Sequence, residues 1–597
     1  MSNEQDDKLK AIRHSLAHLL AATVAQMYPG AKYTIGPPID NGFYEDIEIP
    51  ASVTDADLPK IEAAMREKLK TWSTFERREV SAEEALKVFD WNPYKQELIK
   101  EFAEGGKQLT LYVSKGSDGS EFIDLCRGGH TEDMSQVKPD AFKLSHVAGA
   151  YWRGDAKNKM LTRIYGLAFN NAKELRQYEA MMEEAKKRDH RKLGQELDLF
   201  VFSDLVGSGL PMFTPRGTVL REEMANFSNQ LRERIGFQKV WTPHITKKDL
   251  YEKSGHWAKF GDELFLVKSQ ETTDELVMKP MNCPHHTRIY ASRPRSYRDL
   301  PLRVLETTTD YRDEKTGELG GLSRVRALTQ DDSHAFVRPD QIEQQIDDLL
   351  ACAAEMYETV GMKLRVRLSY RDDSDAYLGS KELWASAQEQ LKNAVIANKL
   401  DYFEQDGEAA FYGPKIDFMA SDAIGREHQV ATVQLDFVMP ERFELEYVTE
   451  DGSVQHPVMV HCALLGSIER FLSVYIEHTA GRFPVWNAPE QVRLISVNQE
   501  PETVAFVDKV VEQARGLGLR ITVDNGNESV GKKIRDAEVW KVPYSVVIGE
   551  KEIAGGELTP RIRADLVVAQ DAKSYTVDEF LKTVANETKS RVSKTSL

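Results

Sequence analysis

The stretch YRDEKTGELGGLSRVRALTQDDSHAF, residues 311–336, sits in a region from about 190 to 485 where long strand-like segments alternate with loops rich in Gly, Asp and Arg. That alternation predicts an antiparallel sheet carrying an active site. Near its end, in TQDDSHAF, stands His334. Cys283 in MNCPHH and His461 in MVHCALLGSIERF are residues of the same chemical kind. Two histidines and a thiolate make a three-ligand zinc set whose fourth tetrahedral position stays open for substrate, whereas a structural zinc site closes with a fourth ligand. The three residues are not paired at the short spacings of a zinc finger, and spacing alone does not join them into one site.

The surrounding text joins them. KPMNCP (279–284), SYRDLPLRVLE (296–306), the 311–336 stretch, FYGPKIDF (411–418), TVQLDF (432–437) and LGSIERF (465–471) occur in that order. Together they resemble the core of the class II aminoacyl-tRNA synthetases, most closely the threonyl-tRNA synthetases, and the likeness runs from Arg13 to near Ser590. It implies a multidomain α/β and α+β chain: an α+β editing domain over 1–185, an antiparallel-sheet catalytic domain over 186–485 with a linker helix at its start, and an α/β anticodon-binding domain over 486–597. The chain would be a ligase that activates L-threonine with ATP and transfers it to tRNA(Thr), and would hydrolyse mischarged seryl-tRNA(Thr).

Activation requires a carboxylate to attack the α-phosphate in line, with charge cancelled on both groups and the nucleotide held with Mg2+. Arginine suits this work because its planar fork binds phosphate or carboxylate oxygens in pairs. By resemblance Arg312 clamps the α-phosphate and the substrate carboxylate, and Arg470 lies on the γ-phosphate side. Glu314 reads the adenine amino group and Arg324 contacts phosphate. The resemblance also implies one zinc per subunit on Cys283, His334 and His461, binding the amino and hydroxyl groups of threonine. Valine, a near isostere, would lose a ligand bond, and a site built to engage a hydroxyl discriminates by about 10⁴-fold or more. Asp332 would accept from the substrate hydroxyl, Gln330, Tyr412 and Gln434 would shape the pocket, and Lys415 and Gln429 are further active-site positions.

Serine keeps both zinc-binding groups and lacks one methyl, a difference of roughly 10- to 200-fold, which calls for a second, hydrolytic site. His14 and His18 stand four apart on one face of a predicted helix, and Cys126 and His130 stand four apart in DLCRGGH. Taken alone, that pattern reads as a second zinc site. The resemblance implies instead a metal-free editing pocket of His14, His18, Asp124, Cys126 and His130, joined by Lys95. After VWNAPEQ (485–491), strands VRLISV, LRITVD and YSVVIG alternate with helices and predict a mostly parallel sheet. There the resemblance places anticodon contacts at Asn527, Glu552 and Arg561; Asn527 in NGNES also reads as a turn former.

The 597 residues suffice for three to four domains, and four cysteines without short paired spacing give no disulfide framework. With a polar start, MSNEQDDKLK, and no run of 18 apolar residues, the chain is predicted to be cytoplasmic, with no membrane partner. A net charge of −17 excludes indiscriminate nucleic-acid binding and asks for local basic patches. Candidates are KKRDHRK (186–192) and Lys532, Lys533 and Arg535, which also read as solvated helix faces. QLRERIGFQKVWTPHI (230–245), with Pro243, matches the class II motif that builds a two-fold interface, so a homodimer is expected. Three residues depart from the family: Leu328 where Phe stacks on adenine, His285 where Gly follows NCP, and Cys462 where Arg is common. His285 could compete as a metal ligand or face solvent, and Cys462 reads as a buried small side chain. The sequence also begins at the editing domain, without the small amino-terminal module of many relatives, which predicts reduced tRNA contact.

Overall fold

The computed structural model describes residues 3–117, 119–155, 157–567 and 573–597. The chain divides into two compact units, one ending at Glu183 and one running from Glu184 to Leu597. In the first unit the helix α1 (Asn3–Met27) lies against two antiparallel sheets. One contains β1 (Gly42–Glu48), β5 (Phe142–Tyr151) and β6 (Met160–Ala168); the other is β2 (Trp72–Val80), β3 (Leu109–Gly116) and β4 (Glu121–Leu125). Leu16, Leu19, Leu20 and Val24, at helical spacing on α1, are fully buried and pack with Phe43, Phe142 and Ile164 from the first sheet. This face of α1 leaves His14 and His18 on an adjoining edge, one turn apart.

The second unit is built on an eight-stranded sheet. Its order is Gln238–Lys239, β7 (Leu302–Tyr311), β8 (Ala327–Val337), β12 (Val458–Ser467), β11 (Glu427–Asp436), β10 (Lys415–Ser421), β9 (Lys363–Tyr370) and Tyr402–Asp406. All pairings are antiparallel except the two at the edges. Helices α2 (Pro215–Arg234), α4 (Ile342–Thr359), Lys381–Ala397 and α5 (Ile468–Thr479) join the largest hydrophobic cluster with one face of the sheet. The short helix α3 (Cys283–Tyr290) packs with Val304, Phe336 and Met459 on the other face.

Strand alternation separates Asp331 from Asp332. Asp331 is fully buried toward α2, where it accepts from Ser228 Oγ at 2.5 Å and from the backbone N–H of Leu464 and Leu465, and meets Arg232 at 3.3 Å. A buried pair of this kind locks helix to sheet, since neither charge tolerates isolation.

The carboxy-terminal part carries Val492–Ser496, Ile521–Asp524 and Tyr544–Ile548 as parallel neighbours, with Arg561–Ile562 antiparallel at the edge. Helices Pro501–Gly516 and Val530–Val539 fall where the alternation predicts them. Arg520 binds Glu223 of α2 at 2.8 Å and the carbonyl of Trp486 at 2.6 Å, and Arg216 reaches Glu490 at 3.3 Å. These bonds tie that sheet to α2 within one compact unit.

Three expectations change. The stretch ELRQYEAMMEEAKKRDHRKLGQELDLF (174–200), whose apolar residues at helical spacing predict a helical connector, is not one helix: Ala172–Arg188 ends, Asp189 caps the N–H of Arg191 at 2.8 Å, and His190–Glu196 begins anew. The KKRDHRK run is not a free cationic patch, because Lys187 and Arg188 pair with Glu184, Arg191 with Asp189 and Lys192 with Glu196, while His190 is buried. Lys533 is buried too, donating to the carbonyl of Ser496 at 2.9 Å.

Candidate functional site

Register assembles the central site. Across neighbouring strands His334 opposes His461, His461 opposes Gln434, and Gln434 opposes Lys415, which sets four chain-distant residues in one row on one face. Cys283 enters from α3, and its Sγ lies with the imidazoles of His334 and His461 in a group whose ligand atoms are all within 4.8 Å of one another. All three side chains are buried.

Each imidazole is oriented from behind. Asp436 Oδ2 is 3.0 Å from His461 Nε2; a carboxylate only accepts, so Nε2 carries the proton and Nδ1 turns its lone pair toward His334 Nε2, 3.0 Å away. A second relay runs from Glu306. Burial opposes the charge of Glu306, but bonds from His286 and Thr242 and the nearby Lys279 outweigh it and hold its carboxyl below the ordinary range. Glu306 accepts from His286 Nε2 at 3.3 Å, so His286 Nδ1 accepts from His334 Nδ1 at 2.7 Å. His334 Nε2 is left as a lone pair facing the group. These tautomers follow from the partners.

The donor set fits a divalent cation. Burial, then Asp332, Asp436 and Asp310, push the Cys283 thiol well above its usual range. Burial and the neighbouring His461 and His286 push His334 well below its own. A neutral imidazole is the ligand form, and a bound divalent ion is what makes such a thiol ionise. Asp332 is buried, accepts from Asn282 at 3.2 Å and lies 3.8 Å from His334. Tyr412 stacks on His461 with ring centres 5.0 Å apart and donates to Gln434 at 2.6 Å.

Beside this group opens a cleft of about 850 Å³ lined by Arg312, Glu314, Arg324, Leu328, Gln330, Gln429, Gln434 and Arg470. Among the described residues the guanidiniums of Arg312 and Arg470 make no hydrogen bond or ion pair, and burial followed by the nearby Arg324 lowers the pKa of Arg470.. Unpaired cations facing one cleft are a place for an anion. Arg324 pairs with Glu314 at 2.7 Å and with Glu318 at 2.6 Å. Lys415 lies 3.2 Å from Asp417, which also receives Arg367 and Gln429, each at 2.9 Å. Leu328 gives the cleft an apolar wall.

Of the departures, Cys462 is buried among the core side chains and follows His461 on the strand, hence on the opposite face. His285 neither faces solvent nor joins the metal-competent group. It is buried, both ring nitrogens lack a partner among the described residues, and burial, then Lys279 and His286, pull its pKa down to about 4. Sequence reasoning missed Asp436, His286, Glu306 and Asp310. Asp310 is fully buried with both oxygens unpartnered among the described residues, and burial beside Asp332 holds its carboxyl well above the ordinary range. Asp436 had a signal: it follows Gln434 by two on one strand, hence on the same face.

In the first unit His14, His18, Cys126 and His130 come together within 4.8 Å. Cys126 Sγ lies 3.5 Å from His14 Nε2 and 3.3 Å from His130 Nε2, and His18 Nε2 lies 3.7 Å from Asp124. Lys95, buried, meets Asp124 at 2.5 Å. Burial and His14 pull the pKa of His130 down to about 3, burial lifts the Cys126 thiol to about 11, and burial with Lys95 among the causes lowers His14 and His18. All six predicted residues are drawn together, and five of them, with Gly36, line a cavity of about 450 Å³. A Cβ at Gly36 would fall 1.7 Å from Glu45 Oε2, so only glycine leaves this wall in place.

The three anticodon candidates are not linked by any hydrogen bond or ion pair among the described residues. Asn527 is exposed and accepts from Gln499 at 3.3 Å, Glu552 accepts from the N–H of Gly549 at 3.0 Å, and Arg561 is exposed on the edge strand.

Three family models match. Residues 265–479 match the tRNA synthetase class II core domain (G, H, P, S and T), 491–587 an anticodon binding domain, and 113–165 the threonyl and alanyl tRNA synthetase second additional domain. The chain is 44% identical over 591 residues to a threonine–tRNA ligase of Synechocystis sp., covering 98% of this chain and 96% of that relative. It is 46% identical over 574 residues to a threonine–tRNA ligase of Thermus thermophilus, covering 94% and 86%. Among solved structures, the RNA binding domain of threonyl-tRNA synthetase from Cryptosporidium parvum superposes with a TM-score of 0.63 at 35% identity, covering 68% of this chain and 99% of that one. A prolyl-tRNA synthetase from Giardia lamblia, at 17% identity and a TM-score of 0.54, shares the fold over 68% of this chain. With that identity over nearly its whole length, the chain belongs to the threonine–tRNA ligase family of class II synthetases.

Proposed function

We propose that the chain is a threonine–tRNA ligase that forms threonyl-adenylate, transfers threonine to tRNA(Thr) and clears seryl-tRNA(Thr). The observation that carries this reading is the pair of guanidiniums, Arg312 and Arg470, without partners among the described residues and opening onto one cleft beside the Cys283, His334 and His461 group.

ATP, with Mg2+, occupies the cleft. Arg312 holds the threonine carboxylate against the α-phosphate, and Arg470 holds the far phosphates as pyrophosphate leaves. The charge that grows on the phosphoryl oxygens is met by groups already aimed there. Glu314 reads adenine and Arg324 a phosphate, which requires their 2.7 Å ion pair to loosen when the nucleotide enters. Lys415, steadied by Asp417 with Gln429, borders the reaction. Zinc, held by Cys283, His334 and His461, supplies a Lewis-acid seat for the amino and hydroxyl groups of threonine. Asp332 accepts from that hydroxyl, Gln330 lines the pocket, and Tyr412 and Gln434 form its wall.

In the first unit His14, His18, Lys95, Asp124, Cys126 and His130 position the seryl ester and a water. Neutral histidines, kept so by burial, are competent to take the water's proton. Asn527, Glu552 and Arg561 contact the anticodon through amide, carboxylate and guanidinium edges. Domain limits of 1–185, 186–485 and 486–597 accompany this assignment. Trp241, 74% exposed, sits in the 230–245 segment and supports a homodimer. Among the described residues no helix is long and apolar enough to cross a membrane; a cytoplasmic site of action accompanies the proposal.

The test is amino-acid-dependent pyrophosphate exchange with threonine, serine and valine, alongside zinc content by mass spectrometry. Threonine-led exchange with about one zinc per chain, lost in Cys283→Ala, is the expected result. Undiminished threonine exchange by Cys283→Ala would overturn the zinc assignment.

A further inference from the structure

His190 lies outside the matched class II core and has figured so far only as the buried member of the KKRDHRK run, yet it borders the same cleft. It opens the helix His190–Glu196 and is buried. Its backbone N–H and its ring Nδ1 both reach Glu477 Oε1, at 3.1 and 2.8 Å. Its Nε2 is 3.1 Å from the backbone N–H of Leu322. An N–H can only donate, so Nε2 accepts and the proton sits on Nδ1, aimed at the carboxylate. Burial opposes the charge of Glu477, but the bonds from His190 and the pair with Arg426 at 2.5 Å outweigh it and hold the carboxyl below its ordinary range. Both ring nitrogens are thus engaged and Glu477 is already balanced by a cation. His190 therefore has no lone pair left for a metal, since one ring nitrogen carries the proton and the other accepts from Leu322.

The two ends of this clip belong to different halves of the cleft. Leu322, fully buried, anchors the end of the loop that carries Glu314 and Arg324; Gly320 of the same loop donates to the carbonyl of Arg324 at 3.2 Å. Glu477 is on α5, seven residues or about two turns beyond Arg470. Gly321, at φ +54°, lets the loop close onto the ring: a Cβ there would fall 2.3 Å from His190 Nε2.

We infer that His190 is a positioning residue for ATP, which fixes the spacing between the loop bearing Arg324 and the helix bearing Arg470. The inference rests on the ATP cleft proposed above. Three full-length variants in threonine-dependent pyrophosphate exchange separate the two. Loss of both bonds in His190→Ala raises KM for ATP about tenfold, roughly the effect of two ordinary hydrogen bonds, while KM for threonine stays within about twofold. Gln at this position reaches the Leu322 N–H with its Oε1 but gives up the bond to Glu477, so His190→Gln recovers part of the loss and leaves the ATP KM about threefold above the parent. A merely structural role would instead lower the active fraction and leave both KM values unchanged. Arg470→Ala reports on the cleft itself: undiminished exchange in that variant would remove the ATP reading and the inference with it. If Arg470→Ala loses exchange while both His190 variants keep the parental KM for ATP, the cleft stands and the role of His190 is refuted. Should His190→Ala fail to fold, His190→Gln decides, since a selective rise in the ATP KM supports the clip and an unchanged one overturns it.

Discussion

Replacing Asp436 by Asn tests whether the central group is built to receive a cation. Asp436 is fully buried, and its Oδ1 accepts from the backbone N–H of Val438 and Met439 at 2.8 and 2.9 Å. In Asp436→Asn those two donors keep the amide oxygen where Oδ1 was, so the NH2 must face His461. That NH2 needs an acceptor, which His461 Nε2 can supply only by moving its proton to Nδ1, the atom aimed at His334. Either the ring keeps its present tautomer and a buried donor goes unsatisfied, or it turns an N–H into the metal-competent group. One buried unsatisfied group costs about 1–3 kcal/mol, a factor of roughly 5 to 150 in affinity. That range brackets the ~10- to 100-fold loss usual when the partner of a metal-bound histidine is removed. The assay is zinc occupancy measured against a chelator that buffers free metal, with thermal unfolding of the metal-free chain to separate binding from folding. A zinc dissociation constant within about twofold of the parent would refute the tautomer argument.

Other perturbations address the remaining sites. His14→Ala should leave threonine exchange at the parental rate and slow seryl-tRNA hydrolysis by about 10²-fold or more, the usual size of a lost acid–base group; equal clearance of seryl-tRNA would sink the editing assignment. Arg232→Ala strands the Asp331 charge in the core and should lower stability by about 3–5 kcal/mol in urea unfolding; a loss under about 1 kcal/mol would show that Asp331 is not held as a charge. His285 has a folded pKa of about 4, below the usual value of about 6.5 for an unfolded chain, so the unfolded state binds the proton first as pH falls. Stability attributable to this ring is intact above about pH 6.5 and is lost on acidification toward pH 4, by up to about 1.4 kcal/mol per pH unit. His285→Ala should flatten the urea-unfolding free energy over that window, and an unchanged slope would contradict the burial of a neutral ring.

How far the site was readable from the chain depends on what kind of relation was being read. Residue type and local text singled out Cys283, His334 and His461 as candidates, because few side chains ligate zinc and each sits in a distinctive segment, and the structure brings the three together. Their convergence was a matter of register, a long-range pairing that no local pattern encodes: His334, His461 and Gln434 are neighbours only because β8, β12 and β11 align as they do. Adjacent residues were hardest to separate. His285 and His286 differ by one step of a helix, yet one ends among side chains that offer its nitrogens nothing and the other links Glu306 to His334. Asp331 and Asp332 differ by one step of a strand, and there period two does assign them to opposite faces, one toward Arg232 and one toward the zinc-competent group. The connector helix misled because apolar periodicity passes through Asp189 without a break, while the chain turns there on a side-chain cap. Lys533 was read as surface because it lies in a cationic run, although helical rotation buries it.

Composition alone cannot say why two groups of histidines and a cysteine should differ in their affinity for metal; the charges behind them can. Around Cys283 burial comes first and Asp332, Asp436 and Asp310 add to it, and together they disfavour a thiolate unless a cation arrives. The two histidines there have their lone pairs directed inward by Asp436 and by Glu306 through His286. In the first unit the nearest carboxylate, Asp124, is already neutralised by Lys95 at 2.5 Å, and Lys95 is among the causes that lower His14 and His18. There the ammonium and the carboxylate cancel, so the amino-terminal cluster lacks the acidic surroundings that Cys283 has. The same lysine is suited to a different guest, the polarised carbonyl of an ester under attack by water. The proposal that the central group takes zinc while the amino-terminal group hydrolyses an ester rests on this difference in surroundings, although one set is two histidines and a cysteine and the other merely adds a third histidine.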